Sequence, residues 1–242
     1  MGIKDTINEL IEYDKMLQGG VAMKINNNFN RWIWLLFIVF LILGLINQSF
    51  GLLAIICMIS PIAAGFFKGR IWCGRYCPRG SFYDQVLARV GKEGRRIPPL
   101  LKRAWFRWAV FVSLMAFMAY NLFRAEKTLA GVGAVFYTMV VMTTFIGTVL
   151  GYFFSPRSWC KICPMGTIAV LAQRGVKEPI TLDSERCISC GKCARFCPME
   201  IPVHSFKEDG KVLDPDCLKC GVCIKSCPVK ALHFGTGRKN AA

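Results

Sequence analysis

The sequence predicts a membrane α-fold: four transmembrane helices in two tandem hairpin repeats, followed by a C-terminal α+β domain. Three observations carry this. The 242 residues are 54% hydrophobic and only 19% charged, with a mean hydropathy of +0.39, where soluble domains are ~25% charged. Long uncharged stretches alternate with basic connections. Apart from Cys57, the 13 cysteines fall in regularly spaced groups. A chain this long and apolar needs no disulfide staples for its core, so metal ligation is the first reading of the cysteines.

Residues 1–31 are not a secretory signal, because they contain Asp5, Glu9, Glu12 and Asp14 and lack an apolar core before a small-residue cleavage site. Ile3, Ile7, Leu10, Ile11 and Leu17 recur at helical spacing, which predicts an amphipathic helix ending at Gly19-Gly20. Such a helix lies on the membrane surface, docks on a partner subunit, or is an ordinary surface helix. No charged residue occurs from Trp32 to Phe67. That run is nearly twice the ~20 residues that cross a ~30 Å hydrocarbon core, so it must fold back. Its polar cluster, Asn47-Gln48-Ser49, divides it into spans near 32–47 and 51–67. A second pair follows at 104–123 and 131–154, joined by a segment containing Arg124, Glu126 and Lys127. The domain division is therefore 1–31, a first hairpin with its loop at 32–103, a second at 104–178, and a small domain at 179–242.

Formal net charge is +16, from 31 Lys and Arg against 15 Asp and Glu. The connection 68–103 holds a large share of it, which predicts that this loop, both termini and everything after Phe154 lie on the cytoplasmic side of an inner membrane. The remaining positive charge suits anionic lipid or an acidic partner rather than nucleic acid. The spans contain no histidine, which excludes a bis-histidine haem between helices.

The two membrane halves resemble each other beyond hydropathy. Arg70-Ile71-Trp72-Cys73-Gly74-Arg75-Tyr76-Cys77-Pro78-Arg79-Gly80-Ser81 corresponds to Arg157-Ser158-Trp159-Cys160-Lys161-Ile162-Cys163-Pro164-Met165-Gly166-Thr167. The spacings are C-x3-C-P and C-x2-C-P. Two thiolates from each loop make four ligands, the number a 4Fe-4S cluster uses, so Cys73, Cys77, Cys160 and Cys163 are predicted to share one cluster at the membrane surface. A zinc site and structural free thiols are the alternatives. The prolines are expected to stop a helix, the glycines Gly80 and Gly166 to close the turn, and Ser81 and Thr167 to cap the next helix.

The most specific signal is C-terminal. Cys187-x2-Cys190-x2-Cys193-x3-Cys197-Pro198 recurs as Cys217-x2-Cys220-x2-Cys223-x3-Cys227-Pro228, the run of bacterial two-cluster ferredoxins. There the fourth cysteine of each run serves the other cluster. One 4Fe-4S cluster is thus predicted on Cys187, Cys190, Cys193 and Cys227, the other on Cys217, Cys220, Cys223 and Cys197. A zinc ribbon would use two separated pairs instead. Cys57 has no partner in sequence and reads as a small hydrophobe; His204 and His233 read as surface histidines near loops.

With these motifs the chain resembles the polytopic ferredoxin-type membrane proteins typified by NapH of the periplasmic nitrate reductase system, with relatives in methylamine utilisation and nitrous oxide reductase maturation. The resemblance runs from Trp32 onward. In that family both loop motifs usually read C-x3-C-P, so the Cys160–Cys163 spacing is one residue short. The resemblance implies a membrane electron-transfer subunit that exchanges electrons between the quinone pool and another redox protein, as part of an oxidoreductase complex. On that expectation quinone is the substrate and binds near the loop cluster, with Trp72, Arg75, Trp159 and Arg157 as neighbours. Asp84 is either a proton relay to the quinone or an exposed helix-start acid. The alternative is a membrane electron donor or assembly factor that reduces a client metalloprotein and has no quinone site of its own. A purely structural anchor is disfavoured by twelve cysteines in ligand runs. No nucleotide or flavin motif appears.

Overall fold

A computed structural model describes residues 32–90, 96–173 and 179–235; the predicted helix in 1–31 lies outside them. Among the described residues three helices are long and apolar enough to cross a membrane: Gln48–Lys68, Ala104–Arg124 and Leu129–Phe153. The first predicted span differs. Its helix, Ile33–Ile46, has 14 residues, a rise of ~21 Å against the ~30 Å of a hydrocarbon core. It ends because Asn47 is extended and its Oδ1 accepts from the Ser49 N–H at 2.9 Å, the local competition that makes Asn and Ser helix enders. The chain re-enters helix at once through a 3₁₀ turn, Gln48–Leu52, which leads into Leu53–Lys68.

These helices carry large exposed apolar side chains, among them Leu45, Phe67, Phe123, Leu129 and Phe145, far more than a water-facing surface tolerates. Where the helices meet, polar groups are used sparingly. The Tyr137 hydroxyl donates to the Leu41 carbonyl at 3.0 Å, and Thr143 and Thr144 satisfy their hydroxyls on carbonyls of their own helix.

At one end of the bundle lie two pairs of short helices. Ile71–Arg75 and Pro78–Phe82 form the first pair, the latter continuing as a π-turn over Tyr83–Leu87. Ser158–Ile162 and Pro164–Ala172 form the second. Phe82 packs on Phe37 of Ile33–Ile46, while Pro164–Ala172 packs on Leu53–Lys68. Buried Tyr83, Leu87, Leu114, Met139, Trp159 and Ile162 make a core between these short helices and the long ones.

The C-terminal domain has a minimal frame: strands Ile180–Leu182 and Leu232–Phe234 pair antiparallel, with Thr181 opposite His233. Two four-residue helices, Lys192–Arg195 and Val222–Lys225, lie within the cysteine runs and carry Cys193 and Cys223. Ile180, Leu182, Met199, Ile201, Leu218 and Leu232 are buried together. Cys73 and Cys160 of the membrane loops pack against that same core, so the domain sits directly on the loop helices.

Candidate metal centres

Both cysteine runs adopt one local conformation. The residue before each second cysteine is left-handed (Ser189 φ +54°, Lys219 φ +50°), as is the glycine after it (Gly191 φ +72°, Gly221 φ +79°). A left-handed residue on either side of the middle cysteine bends the run sharply, and all three of its cysteines line one cavity. The outcome is two apolar cavities. Cys187, Cys190 and Cys193 line the first, together with Cys227 from the other run. Cys217, Cys220 and Cys223 line the second, together with Cys197. Among the described residues no three His, Cys, Asp or Glu side chains converge as ligands of a single metal ion. Four thiols spread round a void fit a multi-iron group better than one zinc with Zn–S bonds of ~2.3 Å.

Burial raises the thiol pKa of Cys193, Cys197 and Cys220, and pushes Cys217 up to about 12. Backbone N–H groups of Lys219 and Val222 act in the opposite sense on Cys217 and Cys220, and the Ala231 N–H donates to Cys227 Sγ at 3.3 Å. Such N–H···S bonds favour the charged sulfur and tune cluster potentials.

In the loops, Cys77 and Cys163 occupy the N-cap positions of the helices that Pro78 and Pro164 begin. The expected cap residues Ser81 and Thr167 lie inside those helices instead. The cause is the proline, which holds the preceding cysteine extended (ψ 114° and 128°) and takes the first helical position itself. Cys77 Sγ accepts from the Gly80 N–H at 3.4 Å.

The two motifs are fastened by an exchange of arginines. Arg70, ahead of the first motif, donates through Nη2 to the Cys160 carbonyl at 2.8 Å; Arg157, ahead of the second, donates through Nη1 to the Cys73 carbonyl at 2.9 Å. Each guanidinium passes over a glycine of the opposite motif. A Cβ on Gly80 would stand 2.6 Å from Arg157 Nη1, and one on Gly166 2.6 Å from Arg70 Nη2. Gly80 and Gly166 therefore make room for these arginines, beyond any part in closing the turn. Arg157 is held by both oxygens of Asp84, at 2.8 and 2.5 Å. Arg70 reaches Asp216, 2.7 Å away, and the same carboxylate takes Arg107 at 2.9 Å and Lys161 at 3.0 Å. Burial opposes the charged form of Asp216, yet Arg70, Lys161 and Arg107 hold its carboxyl below the ordinary range. Asp216 immediately precedes Cys217, so this ion cluster ties the second cavity to the loops.

Arginine also approaches the loop sulfurs: Arg157 Nη1 lies 3.7 Å from Cys160 Sγ and Arg79 Nη2 lies 3.4 Å from Cys163 Sγ. Burial pushes the Cys77 thiol up to about 12 and raises Cys73, where Arg70 opposes it. Arg157 Nη1 touches both the Cys73 carbonyl and Cys160 Sγ, and Arg79, two residues after Cys77, touches Cys163 Sγ, so the two loop motifs lie side by side.

The other sequence candidates divide. Trp159 is buried, with Arg79 over its ring at 5.7 Å and its indole Nε1 unpartnered. Trp72 stacks beside Tyr76 at 5.7 Å. Arg75 lies over the Phe234 ring of the C-terminal domain at 4.7 Å and so faces that domain. Asp84 is no free helix-start acid, since both its oxygens bind Arg157. His204 is not a plain surface residue: it lines the first cavity, with Nδ1 buried and without a hydrogen-bond partner among the described residues. Cys57 is exposed on Leu53–Lys68. Sequence reasoning missed Arg70, Arg79, Arg107 and Asp216. For Arg70 the signal was present, because the repeat aligns it with Arg157.

The 4Fe-4S dicluster domain family matches residues 179–228, which hold all eight run cysteines. The 4Fe-4S binding domain family matches residues 50–96 and 137–180, which hold Cys73, Cys77, Cys160 and Cys163. An uncharacterised protein of Methanocaldococcus jannaschii is 28% identical over 160 residues, covering 63% of this chain and 61% of that one. The methylamine utilization ferredoxin-type protein MauN of Methylobacillus flagellatus is 29% identical over 167 residues, 61% of this chain and 57% of its own length. The putative electron transport protein YccM of Escherichia coli is 33% identical over 67 residues, 27% of this chain and 18% of its own. The chain thus spans about three fifths of the first two relatives. No solved structure matches it. The chain carries 4Fe-4S domains, and two of these relatives are named as ferredoxin-type or electron transport proteins.

Proposed function

We propose that the chain is a NapH-like membrane subunit that relays electrons between a redox partner at its C-terminal domain and the membrane quinone pool. In this reading Cys187, Cys190, Cys193 and Cys227 hold one 4Fe-4S cluster, Cys217, Cys220, Cys223 and Cys197 a second, and Cys73, Cys77, Cys160 and Cys163 a third. Each cluster supplies one-electron chemistry at a potential set by its surroundings. The loops, both termini and all thiol sets lie on the cytoplasmic side, by the basic charge of 68–103. The short helix Ile33–Ile46 belongs to the first of two hairpins related by the arginine exchange.

One observation carries the relay: the first loop meets the second cavity, since a Cβ on Gly74, next to Cys73, would collide with the carbonyl oxygen of Leu218, which lines that cavity. The first cavity is lined by the exposed Cys190 and Ile188 and is the one open to a partner. The order is therefore partner, first cavity, second cavity, loop thiols, bilayer. Asp216 and its three cations keep the second cavity against the loops. Trp159 and Arg79 line the approach from the bundle, since Arg79 reaches the Thr143 hydroxyl of Leu129–Phe153 at 2.9 Å.

The test is anaerobic reoxidation of the fully reduced, liposome-embedded protein by a menaquinone analogue. The relay predicts that all cluster signals reoxidise in wild type and that the ferredoxin-type signals stay reduced in Cys73→Ser. Equal reoxidation in Cys73→Ser would refute the route through the loops. Reoxidation by a client metalloprotein alone would favour the electron donor or assembly factor.

A further inference from the structure

The loop thiols are surrounded by more positive charge than the carboxylates balance. Arg70, Arg107 and Lys161 share Asp216, and Arg157 has Asp84. Arg79 stands apart. Among the described residues no carboxylate lies within ion-pair distance of it; its partners are the Thr143 hydroxyl, the Trp159 ring and Cys163 Sγ. Five cations against two carboxylates leave a net of about three positive charges around the motif. A 4Fe-4S centre bound by four thiolates carries about −2 when oxidised and about −3 when reduced. Uptake of one electron, with no proton, would bring the region from about one net positive charge to about none. In a desolvated setting that difference favours the reduced state.

We propose that Arg79 sets the reduction potential of the loop centre, its uncompensated guanidinium at Cys163 Sγ stabilising the reduced state. Arg157 also touches a loop sulfur, but Asp84 largely cancels its charge, so Arg79 is the cation whose removal changes the balance most. This inference rests on the reading of Cys73, Cys77, Cys160 and Cys163 as a third 4Fe-4S site.

The experiment is an EPR-monitored redox titration with dithionite as electron source, alongside iron per chain, on the full-length membrane protein. Wild type is compared with Arg79→Gln, Arg79→Lys and Thr143→Val. Arg79→Gln is expected to keep its iron while the equilibrium constant for reducing the loop centre falls about tenfold, ~59 mV for one electron. The two ferredoxin-type signals should not move, and Arg79→Lys should stay within about threefold of wild type, because it keeps the charge. Thr143→Val, which removes the anchor but not the cation, should shift the loop signal in the same direction by less. An unchanged potential in Arg79→Gln, or an equal shift of all three signals, would overturn the role of Arg79. Should Arg79→Gln lose the third signal, the other variants decide: the proposal requires the lowered potential in Thr143→Val and the preserved one in Arg79→Lys, and fails without them. Absence of a third signal in wild type, with about eight irons, would overturn the third site itself, and this inference with it.

Discussion

Replacing Asp216 by Asn removes the single carboxylate on which Arg70, Arg107 and Lys161 converge, at 2.7, 2.9 and 3.0 Å. The Arg70 side chain is fully buried, and those of Lys161 and Arg107 are only 10% and 14% exposed. None of the three can turn readily to water. Breaking a buried ion pair by deleting one partner costs about 3–5 kcal/mol, because the remaining charge is stranded. The asparagine keeps an acceptor oxygen, so the lower end, about 3 kcal/mol, is the expected loss. The ion cluster joins the residue before Cys217 to the arginine before the first loop motif. The free energy therefore comes mainly from docking of the C-terminal domain on the loops. Hydrogen exchange reads it directly. Amides at the contact, in segments 70–77 and 216–223, should open about a hundredfold more often in Asp216→Asn, at about 1.4 kcal/mol per tenfold. Exchange within the helix Leu129–Phe153 should not change. Wild-type protection at the contact in Asp216→Asn would refute the claim that this carboxylate holds the two parts together.

The reciprocal arginine packing predicts that Gly80→Ala and Gly166→Ala each cost about 1–3 kcal/mol and each lower loop-centre iron, since the new Cβ displaces Arg157 or Arg70; iron analysis of the purified variants checks this. Asp84→Asn should reduce loop-centre content together with quinone-dependent turnover, because it strands Arg157, whose side chain is 3% exposed. Lost turnover with the centre intact would instead mark Asp84 as a proton relay. Stripping iron with a chelator should abolish amide protection across 180–235 and leave the helical circular dichroism of the long helices intact. A domain with two three-residue strands and two four-cysteine cavities draws its folding free energy from its metal.

The cysteine runs were legible because ligand spacing is written in consecutive residues, and Cys227 and Cys197 each line the cavity of the opposite run. The loop motifs were legible as a pair because the chain repeats them. The ion pairs were not. Arg70 and Asp216 lie 146 positions apart, and Arg157 and Asp84 lie 73 apart; such partners share no periodicity, and each basic residue alone reads as positive-inside charge. The same ambiguity hid Arg79 among the basic residues of the 68–103 connection. The capping expectation failed for a local reason, since proline at the first helical position made cysteine the cap in place of Ser81 or Thr167. The end of the first helix was legible in the Asn47-Gln48-Ser49 cluster; its 14 residues make it shorter than the other three apolar helices, a difference hydropathy does not weigh. His204 was misjudged because a lone histidine carries no spacing that relates it to the distant Cys187 and Cys227 with which it shares a cavity.

The most direct test of the central claim, one centre shared by the two membrane loops, is iron per chain with EPR of the reduced protein for wild type, Cys73→Ser and Cys160→Ser. Three centres of four thiolates each predict about twelve irons in wild type and about eight in either variant, with the same signal lost from both. About eight irons in all three proteins, with identical spectra, would contradict it and leave the loop thiols outside the electron path.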